Sequence, residues 1–333
     1  MTLAQKIAWD DAILPFQLDA ADMRGRMARL DAVLDGILGH QDHPPPVREL
    51  VAELALLCAL IGQTIKLRWK LSLQLRGEGP VRIIAADYFA PAVPGEAARM
   101  RAYAGYERGR IDAAAPGFAQ LGRGVFGVLI DQGPGSEPYQ GITPLAGGSL
   151  AACAETYFAQ SEQLPTRFAL GHGRVRDSDG RGHWRAGGIM IQHLPRTPPR
   201  IQGGGSGERG LLLAEDVIGD EGAQSWRRVT GALERAQAED LLGPEVSPAD
   251  LLLRLFADEV PRVYDGQPVR FGCTCSEQRV RRSLAACTAQ EIASMTTAAG
   301  VVTADCQFCG AHYELDPATL GADAAGGAAG TDG

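Results

Sequence analysis

Trp69-Lys70-Leu71-Ser72-Leu73-Gln74-Leu75-Arg76-Gly77-Glu78-Gly79-Pro80-Val81 is the stretch that decides how this chain folds. Trp69, Leu71, Leu73 and Leu75 alternate with Lys70, Ser72 and Gln74. A period of two puts the apolar side chains on one face of an extended segment, so this is a half-buried strand. Arg76-Gly77-Glu78-Gly79-Pro80 has the composition of a turn, and residues 81–86 follow as a second strand. Working outward, strand patterns cover residues 100–106, 124–131, 138–145, 168–172 and 187–194. Gly133-Pro134-Gly135 is the hairpin turn between two of them. A helix is expected from residue 47 to about 65, and another over 149–163, ending before Pro165. Helices and strands mix without a regular βαβ alternation. The reading is α+β: a mixed N-terminal domain on a largely antiparallel sheet with packed helices, then a helical linker, then a small C-terminal four-cysteine zinc domain.

Toward the N-terminus, Met23, Met27, Leu30, Leu34 and Leu38 recur at three and four residues. That spacing predicts a helical opening, ended by His43 and Pro44-Pro45-Pro46. Residues 1–15 contain Asp10-Asp11 and no long apolar run, so no secretory signal is expected. The most apolar run, 50–65, is interrupted by Glu53 and Gln63 and is too short to span a bilayer. No membrane partner is expected.

The chain has 333 residues, 45% of them hydrophobic, which is enough for a sizeable core and more than one domain. Its net charge of −8 argues against a broad nucleic-acid surface, and no nucleic-acid partner is expected. Seven cysteines, five of them past residue 270, read as a reduced, cytoplasmic protein with one metal module. There is no phosphate-binding loop and no nucleophile elbow, and enzyme chemistry is not expected.

The organisation reads as residues 1–202 for the core domain, 203–262 for a linker, 263–320 for the zinc module and 321–333 for a disordered tail. Thr197-Pro198-Pro199 and Gly203-Gly204-Gly205-Ser206-Gly207 mark a flexible break. Residues 203–262 hold twelve acidic and six basic side chains, −6 of the chain's −8. Trp226, Val229, Leu233 and Ala236 form one helical stripe within them. Ser247-Pro248-Ala249-Asp250 opens another helix, whose Leu251, Leu252, Leu255 and Phe256 face inward. The linker reads as helical and stable only while its neighbours hold it.

The chemistry lies further on. Cys273-Thr274-Cys275 and Cys306-Gln307-Phe308-Cys309 are separated by thirty residues. Two close pairs of soft thiolates make the tetrahedral sulfur cage that Zn²⁺ prefers. A module of under sixty residues buries little core and needs a staple. A structural zinc site contributes about 10–16 kcal/mol, as much as the about 5–15 kcal/mol that stabilises a whole domain. Zinc also keeps the sulfurs deprotonated and therefore oxidisable. Once the metal is gone each pair can close locally, Cys273 with Cys275 and Cys306 with Cys309, in rings too short to organise a fold. Cys58, Cys153 and Cys287 fit neither pair and read as core cysteines. His312 could stand in for a thiolate, but four cysteines already complete the tetrahedron. Arg279, Arg281 and Arg282 read as a solvated helix face. Three functions fit the cysteines alone: a redox switch on a zinc site, a zinc ribbon for nucleic acid, and a thiol oxidoreductase working through Cys306 and Cys309.

Phe271-Gly272-Cys273-Thr274-Cys275-Ser276 and Asp305-Cys306-Gln307-Phe308-Cys309-Gly310-Ala311-His312-Tyr313 resemble the bacterial redox-regulated chaperone family heat shock protein 33. Leu150-Ala151-Ala152-Cys153-Ala154-Glu155-Thr156-Tyr157-Phe158 and its continuation to Thr166 are similar to the family's mid-chain signature. Segments 73–80 and 186–192, Arg24-Gly25 and Val263-Tyr264-Asp265 match in kind and order, so the resemblance covers roughly residues 10–320. It implies an ATP-independent holdase, quiet while reduced and bound to one zinc ion. Oxidation, often with heat, would release the zinc, form the two local disulfides and unfold the linker. The protein would then act as a homodimer that binds unfolding client proteins and prevents their aggregation. The Gly-rich stretch 203–210 and the tail after Leu320 look like additions to the family pattern.

Overall fold

The computed structural model describes residues 10–176, 179–180, 182–194, 205–218 and 220–321. Residues 197–199, the first two glycines of the Gly-rich break and the tail from 322 onward lie outside the described residues. The chain divides into two compact units, Met1–Gly272 and Cys273–Gly333.

The first unit opens with β1 (Ala12–Leu18) and β2 (Met23–Leu30), then α1 (Ala32–Leu38) and α2 (Pro45–Gly62). The helical opening expected from the stripe Met23–Met27–Leu30 is therefore corrected: only Ala32–Leu38 is helical there. Met23 and Met27 also fit a period of two, with Arg24 and Arg26 between them on the opposite face. Strand pairing on both sides of β2 decided between the two periods. Next come β3 (Lys70–Gly77), β4 (Val81–Phe89), β5 (Ala98–Tyr106), β6 (Gly124–Asp131) and β7 (Tyr139–Pro144). α3 (Leu150–Tyr157) follows, its N-terminus capped by the Ser149 side chain, which accepts from the Ala152 N–H. It continues as a π turn, Phe158–Glu162, and then β8 (Thr166–Arg176) and β9 (Gly182–His193) complete the hairpin.

The strands share one sheet, ordered β7-β6-β3-β4-β5-β11-β1-β2-β9-β8, where β11 is Gln267–Phe271; a short β10 (Arg262–Val263) pairs with β1. Every pair is antiparallel except β11 with β5. Leu71, Leu73 and Leu75 are fully buried against α2, whose apolar side chains occupy the centre of the main core. The fold is α+β, on a largely antiparallel sheet.

The linker segment carries α4 (Ala214–Val217), α5 (Asp220–Leu233), α6 (Ala238–Leu242) and α7 (Pro248–Leu255). Ser247 caps α7 by accepting from the Asp250 N–H. Trp226, Val229, Leu233, Leu251, Leu252, Leu255 and Phe256 join a second core with Leu14, Phe16, Met23, Met27, Ile189 and Ile191 of β1, β2 and β9. Phe16 and Phe256 stack with ring centroids 5.8 Å apart. The linker is thus a layer on the face of the sheet opposite α2. Residues 262–263 and 267–271 are strands of the large sheet, so the zinc module expected from 263 begins as a compact unit only at Cys273.

The second unit has α8 (Glu277–Leu284), α9 (Ala289–Met295) and a hairpin of β12 (Val302–Asp305) with β13 (His312–Leu315). Ser276 caps α8, and Thr288 with Glu291 forms a capping box on α9. Its core is small: Ile292, Val302, Leu315 and Leu320, with Val280, Leu284 and Cys287 packed at the edge.

Candidate metal centre

The β12–β13 hairpin aims the second cysteine pair. Cys306 and Cys309 lie in its turn, where the Cys306 N–H donates to Ala311 O and the Gly310 N–H to Cys306 O. Cys273 and Cys275 lie just before the Ser276 cap, and the Cys275 N–H donates to Cys273 Sγ at 3.4 Å. The two pairs meet. Cys273 Sγ is 3.6 Å from Cys306 Sγ and Cys275 Sγ is 3.3 Å from Cys309 Sγ. All four sulfurs lie within 4.8 Å of one another. A tetrahedron with Zn–S bonds of about 2.3 Å has S···S edges of about 3.8 Å, so the four sulfurs fit one ion.

The charge argument agrees. Burial pushes the thiols of Cys306 and Cys309 above their ordinary range; the sulfurs of Cys275, Cys306 and Cys273 push Cys309 further, and that of Cys273 pushes Cys306 the same way while that of Cys309 opposes. Four thiolates this close require a cation between them. The backbone opposes the burial effect: N–H groups of Phe308 and Cys309 favour the Cys306 thiolate, and that of Ala311 favours Cys309. Tyr313 donates its hydroxyl to Cys275 Sγ at 3.1 Å, and this bond pushes the phenol up to about 12. Tyr313 belongs to the sequence motif, but nothing in the sequence marks its role. All four cysteines are half-buried.

The other singled-out residues stay outside the cluster. His312 Nδ1 pairs with Asp305 Oδ1 at 2.6 Å on the surface. Cys287 lies past the end of α8 and packs against the small core. Cys58 and Cys153 are fully buried in the first unit, and burial pushes the Cys153 thiol up to about 11. Arg279 donates to Thr274 at 2.8 Å, and Arg281 pairs with Glu277 at 2.8 Å.

A large antiparallel sheet layered by helices, with a separate four-cysteine module able to hold one metal ion, defines the class. The chain belongs to the Hsp33 family, whose profile matches residues 11–316. It is similar to the 33 kDa chaperonin of Caulobacter vibrioides (strain NA1000 / CB15N), 36% identical over 314 residues, covering 92% of this chain and 95% of that protein. The 33 kDa chaperonin of Ectopseudomonas mendocina (strain ymp) is 34% identical over 310 residues, with 92% of each chain covered. The crystal structure of a 33 kDa chaperonin (heat shock protein 33 homolog) from Thermotoga maritima superposes with a TM-score of 0.69. That match covers 92% of this chain and 95% of that one at 20% identity, which shows a shared fold. Chaperone is the coarse description that the family supports.

Proposed function

We propose that this chain is a redox-regulated, ATP-independent holdase that binds unfolding proteins and prevents their aggregation under oxidative and heat stress. One observation carries the reading: four half-exposed sulfurs converge in a module whose own core is four apolar side chains. Burying four such side chains contributes about 6–12 kcal/mol before entropy is counted. A zinc site contributes a similar amount, about 10–16 kcal/mol. Loss of the metal therefore removes about half of what organises the unit.

Cys273, Cys275, Cys306 and Cys309 are the proposed ligands of one Zn²⁺ in the reduced form. Bound there, the ion would offset two of the four thiolate charges and hold the sulfurs together. Hydrogen peroxide takes two electrons from the Cys306 and Cys309 thiolates; an S–S bond forms, and two protons complete two waters. A second peroxide does the same for Cys273 and Cys275. Two sulfur contacts of the folded cluster, 3.6 and 3.3 Å, run across the pairs. Closure within pairs is favoured once the module loosens, because rings spanning one or two residues lose the least chain entropy. Peptide mapping of the oxidised protein distinguishes the pairings. The family resemblance supports the remainder: linker unfolding, client binding, a homodimeric oxidised form and a cytoplasmic location.

The deciding experiment is a peroxide titration at mild heat that follows zinc release and aggregation of a denatured client together. Protection that rises with zinc release supports the reading. Unchanged aggregation in the oxidised, zinc-free protein overturns it. The oxidoreductase alternative is disfavoured by position: Cys306 and Cys309 lie in a hairpin turn, whereas catalytic dithiols draw their low pKa from a helix N-terminus.

A further inference from the structure

The linker is held to the sheet by more than its apolar stripe. Arg29 on β2 is 1% exposed, and all the acceptors it finds are backbone carbonyls of the linker. Its Nε donates to Leu241 O at 2.9 Å, and its Nη2 donates to Asp240 O and to Val246 O, both at 2.7 Å. Arg185 on β9 donates from Nε to Leu242 O at 3.0 Å, while its other nitrogens pair with Asp31 at 3.2 Å and with Asp10. Carbonyls 240, 241 and 242 end α6, and the last carbonyls of a helix have no partner within it.

The sheet is shaped for this contact. Gly187 lies directly opposite Arg29 in the β2–β9 register. A Cβ at Gly187 would sit 2.1 Å from Leu241 O, so the linker backbone touches the sheet there. Gly243, at φ +68, brings its own backbone so near that a Cβ would lie 2.6 Å from Arg29 Nη1.

We propose that Arg29, supported by Arg185, is the positioning residue that latches the linker loop 240–246 onto the sheet and sets how readily the linker leaves while zinc is still bound. The proposal rests on the holdase reading for its consequence, not for its geometry. A buried guanidinium needs acceptors, and buried carbonyls need donors. Removing the cation orphans three carbonyls at once and leaves the apolar stripe, Arg185 and the Arg167–Glu215 ion pair to hold the layer. The bond to Leu241 O is buried and reaches water only when the loop lifts, so contact and release are coupled there.

The test uses the reduced, zinc-loaded, full-length protein and its R29M and R29K variants. Three quantities are measured: zinc content, amide hydrogen exchange and client aggregation without oxidant. R29M is expected to keep one zinc per chain and wild-type exchange in β3–β6. Its exchange over 238–256 is expected to quicken at least tenfold, with R29K between. Wild-type protection of 238–256 in R29M overturns the latch. Should R29M fail to fold, G187A presses a methyl group against Leu241 O without changing charge and is expected to quicken exchange over the same segment; wild-type exchange there overturns the latch too. Faster linker exchange without client protection leaves the latch standing and counts against the holdase. Peroxide-activated wild type beside an unaffected R29M does the reverse.

Discussion

At the scale of single residues, the cysteine cluster depends on groups that are not ligands. Tyr313 donates to Cys275 Sγ, and a donor to a thiolate draws electron density from it. Outer-shell partners of metal ligands typically control ten- to hundredfold in affinity. Tyr313→Phe should weaken zinc binding about tenfold and speed zinc release by peroxide, read by competition with a chromophoric chelator. An unchanged competition curve would show that the bond is incidental. Cys306→Ser should do more, abolishing stoichiometric zinc and removing protection from β12 and β13 in hydrogen exchange. Persistence of a protected hairpin in that zinc-free variant would contradict the staple argument. The four ligand candidates were legible from spacing alone, whereas Tyr313 was not, because a hydroxyl reaching a sulfur 38 positions away in sequence leaves no local pattern.

At the scale of elements, α2 carries a cost within its core. Burial raises the Glu53 carboxyl to about 7, with the nearby Glu49 charge pushing the same way and a backbone hydrogen bond from Ala151 opposing. The folded state therefore binds a proton that the unfolded chain releases at about 4.5. This contribution to stability is complete below pH about 4.5 and is lost as the pH climbs to about 7. Glu155 on α3 is raised to about 7 in the same way, so the wild-type slope contains both. Glu53→Gln should leave stability unchanged near pH 4.5 and raise it by about 2–3 kcal/mol at pH 8, measured by urea unfolding. Equal increments at both pH values would exclude the titration. Strands β3 and β5 were readable because their apolar residues recur at every second position. Strand β2 was not: its methionines satisfy two periods, and only pairing with β1 and β9 chose one. Ser72 misled in a smaller way. It looked like a solvent-facing alternate, yet it is 2% exposed and bonded to Asp87, which Arg101 neutralises at 2.7 Å.

At the scale of the whole molecule, the large unit has two cores on the two faces of one sheet, and the linker supplies half of the second. Trp226 on α5 is 1% exposed within it. Linker release should shift Trp226 emission to longer wavelength, with Trp226→Phe as the control. Under chelation plus peroxide this shift should accompany loss of protection over 238–256, while β3–β6 stay protected. A shift absent from the oxidised, client-protecting protein would place the activating change elsewhere.

Spacing and composition alone picked out four sulfurs that could hold a metal ion, the α+β class and an acidic segment ahead of the cysteines, because these rest on local properties: sulfur pairs, two-residue alternation and charge count. The tertiary structure decided which period β2 obeys, that 267–271 completes the sheet, and that Arg29 grips the linker's carbonyls. Each of these depends on a partner brought near from far along the chain. Pairing and burial energies between distant segments have no signature in the residues of one segment alone.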